Sequence, residues 1–247
     1  MTAPAPVRVA MWSGPRNLST ALMRSWSSRR DTTVVDEPFY AVYLAATGLE
    51  HPGRNAVLRS QPTDWETVAG TLSGPVPGGA PIWYQKHMAH HLLPHVGRDW
   101  LDDPSFRHAF LIRDPAAMIV SLDAVTPGPR LEDTGLPQQV ELFERTADRL
   151  GEPPPVIGAV DVLRDPEAVL QSLCARLGVD FDPAMLTWAP GPRPEDGVWA
   201  EHWYASVRTS TGFGPPRAEA VDLPDRLRPV LDAARPLYDR LSAHRLS

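Results

Sequence analysis

The sequence predicts an α/β fold in which a mainly parallel central sheet lies between two layers of helices. Short apolar segments rich in β-branched and aromatic residues alternate along the chain with segments of helical periodicity. Strands that alternate with helices are joined by right-handed crossovers, which gives parallel strands covered on both faces. The expected architecture is therefore three-layered, α/β/α.

The first half of the chain supplies three of the expected strands. The run VRVAMW at 7–12 is the first, and the periodic sequence LSTALMRSWSSR follows it as a helix. The second strand, in DTTVVDEPFY, ends before Pro38, which has no N–H for a β-ladder. The third strand is PIWYQK at 81–86, and we expect a helix over 87–96 after it.

The second half continues the alternation. The fourth strand, RHAFLI at 107–112, precedes a helix in which Asp114 is a suitable cap and Pro115 a suitable first helical residue. An amphipathic helix ends at Gly151, a fifth strand follows at 154–160, and another helix ends near Gly178. The remaining segments are an irregular Trp-, Pro- and Gly-rich stretch at about 187–217 and a terminal helix at about 223–243.

Composition limits the class of protein. The chain of 247 residues has 43% hydrophobic residues, a formal net charge of −6 and one cysteine, Cys174. We expect a single domain over 1–247 in a reducing, cytoplasmic compartment, without a membrane segment. The acidic balance argues against a general nucleic-acid binder. Lys86 is the only lysine beside many arginines, either because a GC-rich bacterial genome favours arginine codons or because a compact ammonium is needed there.

The turn after the first strand has the features of an anion site. A helix start with free backbone N–H groups and hydroxyls attracts an anion, and Arg16 adds a two-pronged cationic donor. The Gly-Lys-Ser/Thr of nucleotide hydrolases is absent from this turn. The alternative is an ordinary tight turn. The candidate ligands of the anion are Ser13, Gly14, Pro15, Arg16, Asn17, Leu18, Ser19 and Thr20.

A second cationic position follows the fourth strand. Arg113 stands at the strand end, and Ser121 lies eight residues further, about two turns into the next helix. An anion near Arg113 could receive both groups if the strand end folds back along the helix.

Together, GPRNLST and LIRDPAAMIVS resemble the sulfotransferases that use 3′-phosphoadenosine-5′-phosphosulfate (PAPS). The resemblance runs from Val7 to about Gly214 and includes the later segment VIGAVDVLRDPEAVLQSLCARLGVDFDP. It implies a P-loop-like sulfotransferase fold, a first loop that holds the 5′-phosphosulfate, and a 3′-phosphate on the later arginine and serine. RTSTGFG occupies the region of the family's closing loop. The resemblance therefore implies that the nucleotide is also bound by Arg208, Ser210, Thr211 and Gly212.

Two departures from the family pattern lie in the first loop. Asn17 and Leu18 replace the small Ser-Gly pair that is common there, and Arg16 replaces the lysine of cytosolic members. The resemblance implies PAPS as co-substrate, the desulfated nucleotide PAP as product, and no metal.

Two residues compete as the base that deprotonates the acceptor. Glu37 follows the second strand, where family members that act on carbohydrates have a glutamate before aromatic residues. His87 resembles the histidine of a Lys-x-His motif but is one residue too early. Glu37 could alternatively form only a salt bridge. The resemblance also gives Lys86 a role near the transferring sulfuryl group, whereas a metal on His87, His91 and His95 is disfavoured because Pro94 disturbs the helix.

The sequence thus predicts a sulfotransferase with a small-molecule or carbohydrate-like acceptor. The alternatives are a P-loop-like kinase for small molecules, which would require Mg²⁺, and a catalytically silent nucleotide-binding protein. The expected partner is the acceptor, with a homodimer as an open alternative and with neither nucleic acid nor membrane. Segment 47–80 and the tryptophan-rich segment are expected to shape the acceptor pocket.

Overall fold

A computed structural model of the chain describes residues 5–216 and 221–246. In them, five parallel strands form one sheet in the order β2-β3-β1-β4-β5, so the predicted α/β architecture is confirmed. The strands are β1 (Val7–Ser13), β2 (Thr32–Asp36), β3 (Ile82–Met88), β4 (Phe106–Ile112) and β5 (Val156–Gly158).

Helices cover both faces of this sheet. The helices that follow or flank the strands are α1 (Ser19–Ser27), α2 (Tyr40–Thr47), α3 (Arg54–Ser60), α4 (Trp65–Ser73), α5 (Pro115–Asp123), α6 (Leu136–Leu150), α7 (Ala159–Arg164) and α8 (Pro166–Leu177). The last part of the described chain adds α9 (Ala200–Trp203), α10 (Ala205–Thr209) and α11 (Arg228–Ser242).

The alternation of side chains along β1 divides the core into two clusters. Ala10 and Trp12 point to one face, where α5, α6 and α11 pack. Val9 and Met11 point to the other, where α1 and α8 pack. Cys174 on α8 is buried in the second cluster, as a structural thiol would be.

The helix expected over 87–96 is wrong. Strand β3 continues to Met88 because His87 and Met88 pair with Trp12 and Ser13 of β1. A short 3-10 turn, Ala89–His91, follows. The segment 187–217 carries α9 and α10, and α11 begins at Arg228 after a 3-10 turn. The longer strand places Lys86 at the carboxyl edge of the sheet, beside Asp36 of β2.

Candidate active site

The turn between β1 and α1 has a constrained backbone. Arg16 and Leu18 have φ of 62° and 73°, a left-handed conformation that costs about 1 kcal/mol or more for a residue with a side chain. Gly14 packs so closely that a Cβ there would overlap the carbonyl oxygen of Thr134. The turn is held in a defined shape at the N-terminus of α1, where unpaired N–H groups favour an anion.

The two predicted cationic positions meet across this turn. Arg16 Nε donates to Ser121 Oγ at 3.0 Å, and Arg113 Nη1 donates to the Arg16 carbonyl oxygen at 2.8 Å. Burial and the nearby charge of Arg113 lower the pKa of Arg16. Two guanidinium groups are thus brought together at this turn, an arrangement that suits a phosphate or sulfate.

A cleft of about 1960 Å³ runs along the carboxyl edge of the sheet, where ligands bind in parallel α/β sheets. The predicted nucleotide ligands that line it are Pro15, Arg16, Asn17, Leu18, Ser19, Thr20, Arg113, Ser121, Ser210 and Gly212.

The remaining predicted nucleotide ligands lie elsewhere in the described structure. Ser13, at the end of β1, and Gly14, in the turn, are buried and do not line the cleft. Thr211 faces a separate small depression beside Ser28 and Trp188. Arg208 packs at the end of α10, outside the lining of the main cleft. The structure brings the first loop to Arg113 and Ser121 but does not bring Arg208 or Thr211 to them.

Asn17 and Gln139 support the turn from below. The Asn17 amide donates to the Leu111 carbonyl oxygen at 3.5 Å. Gln139 of α6 donates to the carbonyl oxygens of Trp12 and Leu111 at 3.0 and 3.1 Å. Both carbonyls lie near the carboxyl ends of β1 and β4, where the ladder stops. The sequence analysis missed Gln139, since a glutamine within an amphipathic helix carries no local signal for this contact.

A buried charged cluster lies at the ends of β2 and β3. Lys86 Nζ donates to Asp36 Oδ1 at 2.7 Å, to Glu37 Oε1 at 2.7 Å and to the Tyr204 hydroxyl at 2.6 Å. The Tyr204 hydroxyl donates to Asp36 Oδ2 at 2.6 Å and accepts from Trp199 Nε1 at 3.1 Å. We call Asp36, Glu37, Lys86 and Tyr204 the carboxylate–lysine cluster.

Within this cluster, Glu37 is the carboxylate that borders the cleft. Its side chain is 12% exposed, whereas the side chains of Asp36 and Lys86 are each 1% exposed. Glu37 has φ of 40°, and its backbone N–H donates to the Lys86 carbonyl oxygen at 3.0 Å. The three non-glycine residues with positive φ in the described chain are Arg16, Leu18 and Glu37, and all three line the cleft. Such strained positions are typical of functional sites.

Burial and the adjacent Asp36 raise the pKa of Glu37, against the opposing effect of Lys86. The two carboxylates raise the pKa of Lys86 well above its usual value, despite burial. Lys86 is therefore a permanent cation, and its measured contacts are to carboxylates and to Tyr204. The predicted role of its ammonium at the sulfuryl group stays a prediction.

His87 points away from the cleft. Because consecutive strand residues face opposite sides of a sheet, Lys86 lies on one face and His87 on the other. The His87 ring stacks on Trp12 with centroids 4.2 Å apart, and burial lowers its pKa to about 3. The structure thus does not place His87 where it could deprotonate an acceptor, and its neutral ring belongs to the core.

Beyond Glu37, the cleft has a wall of aromatic rings. His91 stacks between Tyr40 and Tyr43, with ring centroids 4.9 and 4.8 Å apart. The Tyr40 hydroxyl and His51 Nδ1 are 2.9 Å apart. Burial lowers the pKa of His91 well below its usual value, so this wall presents uncharged imidazole at neutral pH. It is suited to an acceptor that contains a ring.

Within residues 5–216 and 221–246, no group of three or more His, Cys, Asp or Glu side chains is arranged to hold a metal ion. Over the same ranges, no helix combines the length and apolar character needed to cross a membrane.

The fold and the site together define a parallel α/β protein with a cleft at the strand ends, where the first loop and two arginines are suited to an anion. The profile of the family described as "Sulfotransferase domain" matches residues 7–245 of the chain. The match covers nearly the whole sequence, and the chain belongs to this family of sulfotransferase domains. The resemblance to sulfotransferases that the first loop and the Arg113–Ser121 spacing suggested is confirmed at the level of the family.

Two curated relatives come from Arabidopsis thaliana. Branched-chain-amino-acid aminotransferase-like protein 1 is 38% identical over 240 residues, which cover 97% of this chain and 42% of that protein. Branched-chain-amino-acid aminotransferase-like protein 2 is 36% identical over 234 residues, which cover 94% of this chain and 41% of that protein. The chain therefore spans about two fifths of the length of these relatives.

A solved structure shares the fold. The crystal structure of a sulfotransferase from Alicyclobacillus acidocaldarius superposes with a TM-score of 0.57 and 16% sequence identity, covering 99% of this chain and 98% of that one. At this identity the likeness establishes the common fold.

Proposed function

We propose that the chain transfers a sulfuryl group from PAPS to a hydroxyl or amine of a small-molecule or carbohydrate-like acceptor and releases PAP. The observation that carries the proposal is the meeting of Arg16, Arg113 and Ser121 at the N-terminus of α1. PAPS bears anionic groups at both its 3′ and 5′ positions, and these donors suit such a ligand. In this proposal Arg113 and Ser121 bind the 3′-phosphate, and the first loop binds the 5′-phosphosulfate.

The donors at this end of the cleft also suit the chemistry. When bound, PAPS supplies an activated sulfuryl group whose leaving group is a phosphate that gains negative charge. Arg16 and the N–H groups that open α1 face that charge as it develops, and fixed donors of this kind lower a barrier electrostatically.

Glu37 is the proposed general base. The acceptor hydroxyl gives its proton to the Glu37 carboxylate while its oxygen bonds to sulfur, and the electron pair of the broken sulfur–oxygen bond leaves with the nucleotide phosphate. A carboxylate with a raised pKa is better matched to this proton transfer than an ordinary surface glutamate.

A cytoplasmic location, based on the single cysteine, stays part of the proposal.

The test is incubation of the purified chain with PAPS and a panel of alcohols, phenols, amines and sugars, with mass spectrometry of the products. A gain of one sulfuryl group on an acceptor, with equimolar PAP, supports the proposal. Parallel reactions with ATP and Mg²⁺, with and without a chelator, detect the kinase alternative through a phosphorylated product. PAP binding without turnover of any acceptor would support a silent nucleotide-binding protein instead.

A further inference from the structure

The carboxylate–lysine cluster connects the proposed base to a distant part of the chain. Tyr204 lies at the junction of α9 and α10, 118 residues from Lys86, yet the two are 2.6 Å apart. Lys86 has three N–H bonds, and they point to three acceptors at 2.6 to 2.7 Å. All three N–H groups of the Lys86 ammonium therefore donate hydrogen bonds within the cluster.

We infer that Asp36 and Tyr204 are positioning residues that hold Lys86 against Glu37 and thereby fix the carboxylate that takes the acceptor's proton. This inference rests on the proposed function of Glu37 as the base. It assigns Lys86 to the base rather than to the sulfuryl group, because its hydrogen bonds are satisfied by Asp36, Glu37 and Tyr204.

Each bond in the cluster has a defined direction. The Tyr204 hydroxyl accepts from Lys86 and from Trp199, so its own proton goes to Asp36 Oδ2. Asp36 Oδ2 also accepts from the Gly197 N–H at 3.1 Å. The Gly197 N–H and the Tyr204 hydroxyl thus fix the position of Asp36. Asp36 and Glu37 in turn fix the position of the Lys86 ammonium between them.

The charges explain why this arrangement suits a base. One ammonium lies between two carboxylates, so the cluster carries a net charge of −1 when Glu37 is ionised. When Glu37 takes the acceptor's proton, Lys86 and Asp36 remain as a neutral pair. The buried cluster therefore gains a proton and loses a net charge, and burial favours that change.

The groups that face Glu37 come from every element packed around it. They are Asp36 of β2, Lys86 of β3, Tyr204 at the α9–α10 junction and Tyr40 of α2. His91, next to Tyr40, is uncharged at neutral pH. Asp36 is the neighbouring negative charge that favours protonation of Glu37, so its removal leaves Lys86 to act on Glu37 alone.

Asp36→Asn is the primary test. The Glu37 carboxyl is followed by ¹³C NMR, with its resonance assigned from its absence in Glu37→Gln. In Asp36→Asn the titration midpoint of Glu37 moves to lower pH. The acid limb of kcat against pH moves the same way, and kcat falls about 10- to 100-fold because the base is weaker and less well placed. PAP affinity, measured by calorimetry, stays unchanged.

Tyr204→Phe provides a second route if Asp36→Asn fails to fold. It keeps the ring over Lys86, at 4.9 Å from Nζ to the centroid, and removes only the hydroxyl. We expect kcat to fall while PAP affinity is retained. The matched control is Tyr84→Phe, which removes a buried hydroxyl from the same strand as Lys86; among the described residues, nothing hydrogen-bonds to that hydroxyl.

Two results would overturn the inference. One is an unchanged Glu37 titration in a folded Asp36→Asn protein. The other is a Tyr204→Phe protein with the kcat of Tyr84→Phe. If the wild-type chain does not turn over PAPS, the proposed function fails, but the Glu37 titration still decides whether Asp36 controls this carboxyl.

Discussion

Arg16 donates a hydrogen bond to Ser121 across 105 residues of chain, from the turn after β1 to the second turn of α5. The contact brings the first loop and the segment after β4 to one point of the cleft. In this structure the guanidinium of Arg16 and the hydroxyl of Ser121 satisfy one another. A phosphate that enters between them would replace one bond by two charge-assisted ones.

The first prediction concerns nucleotide selectivity. If Arg113 and Ser121 bind a 3′-phosphate, PAP binds more tightly than AMP, which lacks that group. Ser121→Ala then lowers PAP affinity about 10- to 150-fold, since a hydrogen bond to a charged group contributes about 1.5–3 kcal/mol. The AMP affinity of this variant stays at the wild-type value. Calorimetric titration of both nucleotides measures the difference, and equal affinity of the wild type for PAP and AMP would contradict it.

The second prediction concerns the shape of the first loop. Gly14→Ala places a methyl group against the Thr134 carbonyl oxygen, which must move. We expect a loss of about 1–3 kcal/mol in the free energy of unfolding, with weaker PAP binding because the turn shifts. Urea denaturation and calorimetry measure the two effects.

Gly70→Ala is the matched control for Gly14→Ala. Gly70 lies on α4 with open space around its Cα, so alanine there raises stability by about 0.5–1 kcal/mol. Wild-type stability and PAP affinity in Gly14→Ala would mean that the close approach of Gly14 to Thr134 is unimportant.

The fold and the proximity of Arg16 to Arg113 could be predicted from the sequence for physical reasons. Parallel strand ends meet at one edge of a sheet, so Arg16 and Arg113, each just beyond a strand, could be expected together. Local patterns of this kind are readable because they depend on neighbouring residues.

The carboxylate–lysine cluster could not be predicted in the same way. Asp36 is buried and pairs with Lys86, 50 residues away, and nothing in the residues next to Asp36 indicates this contact. Tyr204 has no local pattern that connects it to either residue. Such contacts depend on how segment 197–204 folds over the sheet edge. One feature of this region does follow from local pattern. Because β3 extends to Met88, Lys86 and His87 are consecutive strand residues, and their side chains lie on opposite faces of the sheet.

The third prediction tests the base. Glu37→Gln keeps the shape of the side chain but cannot accept the acceptor's proton. We expect kcat to fall about 10²- to 10⁴-fold with unchanged PAP affinity. The control is Glu50→Gln, a carboxylate that also lines the cleft but is 87% exposed, and it keeps activity within a few-fold. Turnover of Glu37→Gln at the wild-type rate would remove Glu37 from the reaction.

The fourth prediction concerns stability in acid. Burial lowers the pKa of His87 to about 3 and those of His90 and His108 to about 4. In the unfolded chain these rings titrate near pH 6.5, so below that pH the unfolded state binds more protons than the folded state. Above about pH 6.5 the neutral rings cost the folded state nothing. Below that pH the free energy of unfolding falls by about 1.4 kcal/mol per pH unit for each buried ring, until the pKa of that ring in the folded state is reached.

His87→Phe separates one histidine from this effect. The phenyl ring keeps the stacking against Trp12, and the variant takes up one proton fewer on unfolding. Urea denaturation at pH 7.0, 6.0 and 5.0 therefore gives a shallower loss of stability than in the wild type, whereas the exposed His95→Gln control follows the wild type. An identical pH dependence in His87→Phe would mean that His87 does not enter the fold as a neutral ring. Because His87 faces away from Glu37, the variant also keeps its turnover at neutral pH, and loss of turnover without loss of stability would return the base role to His87.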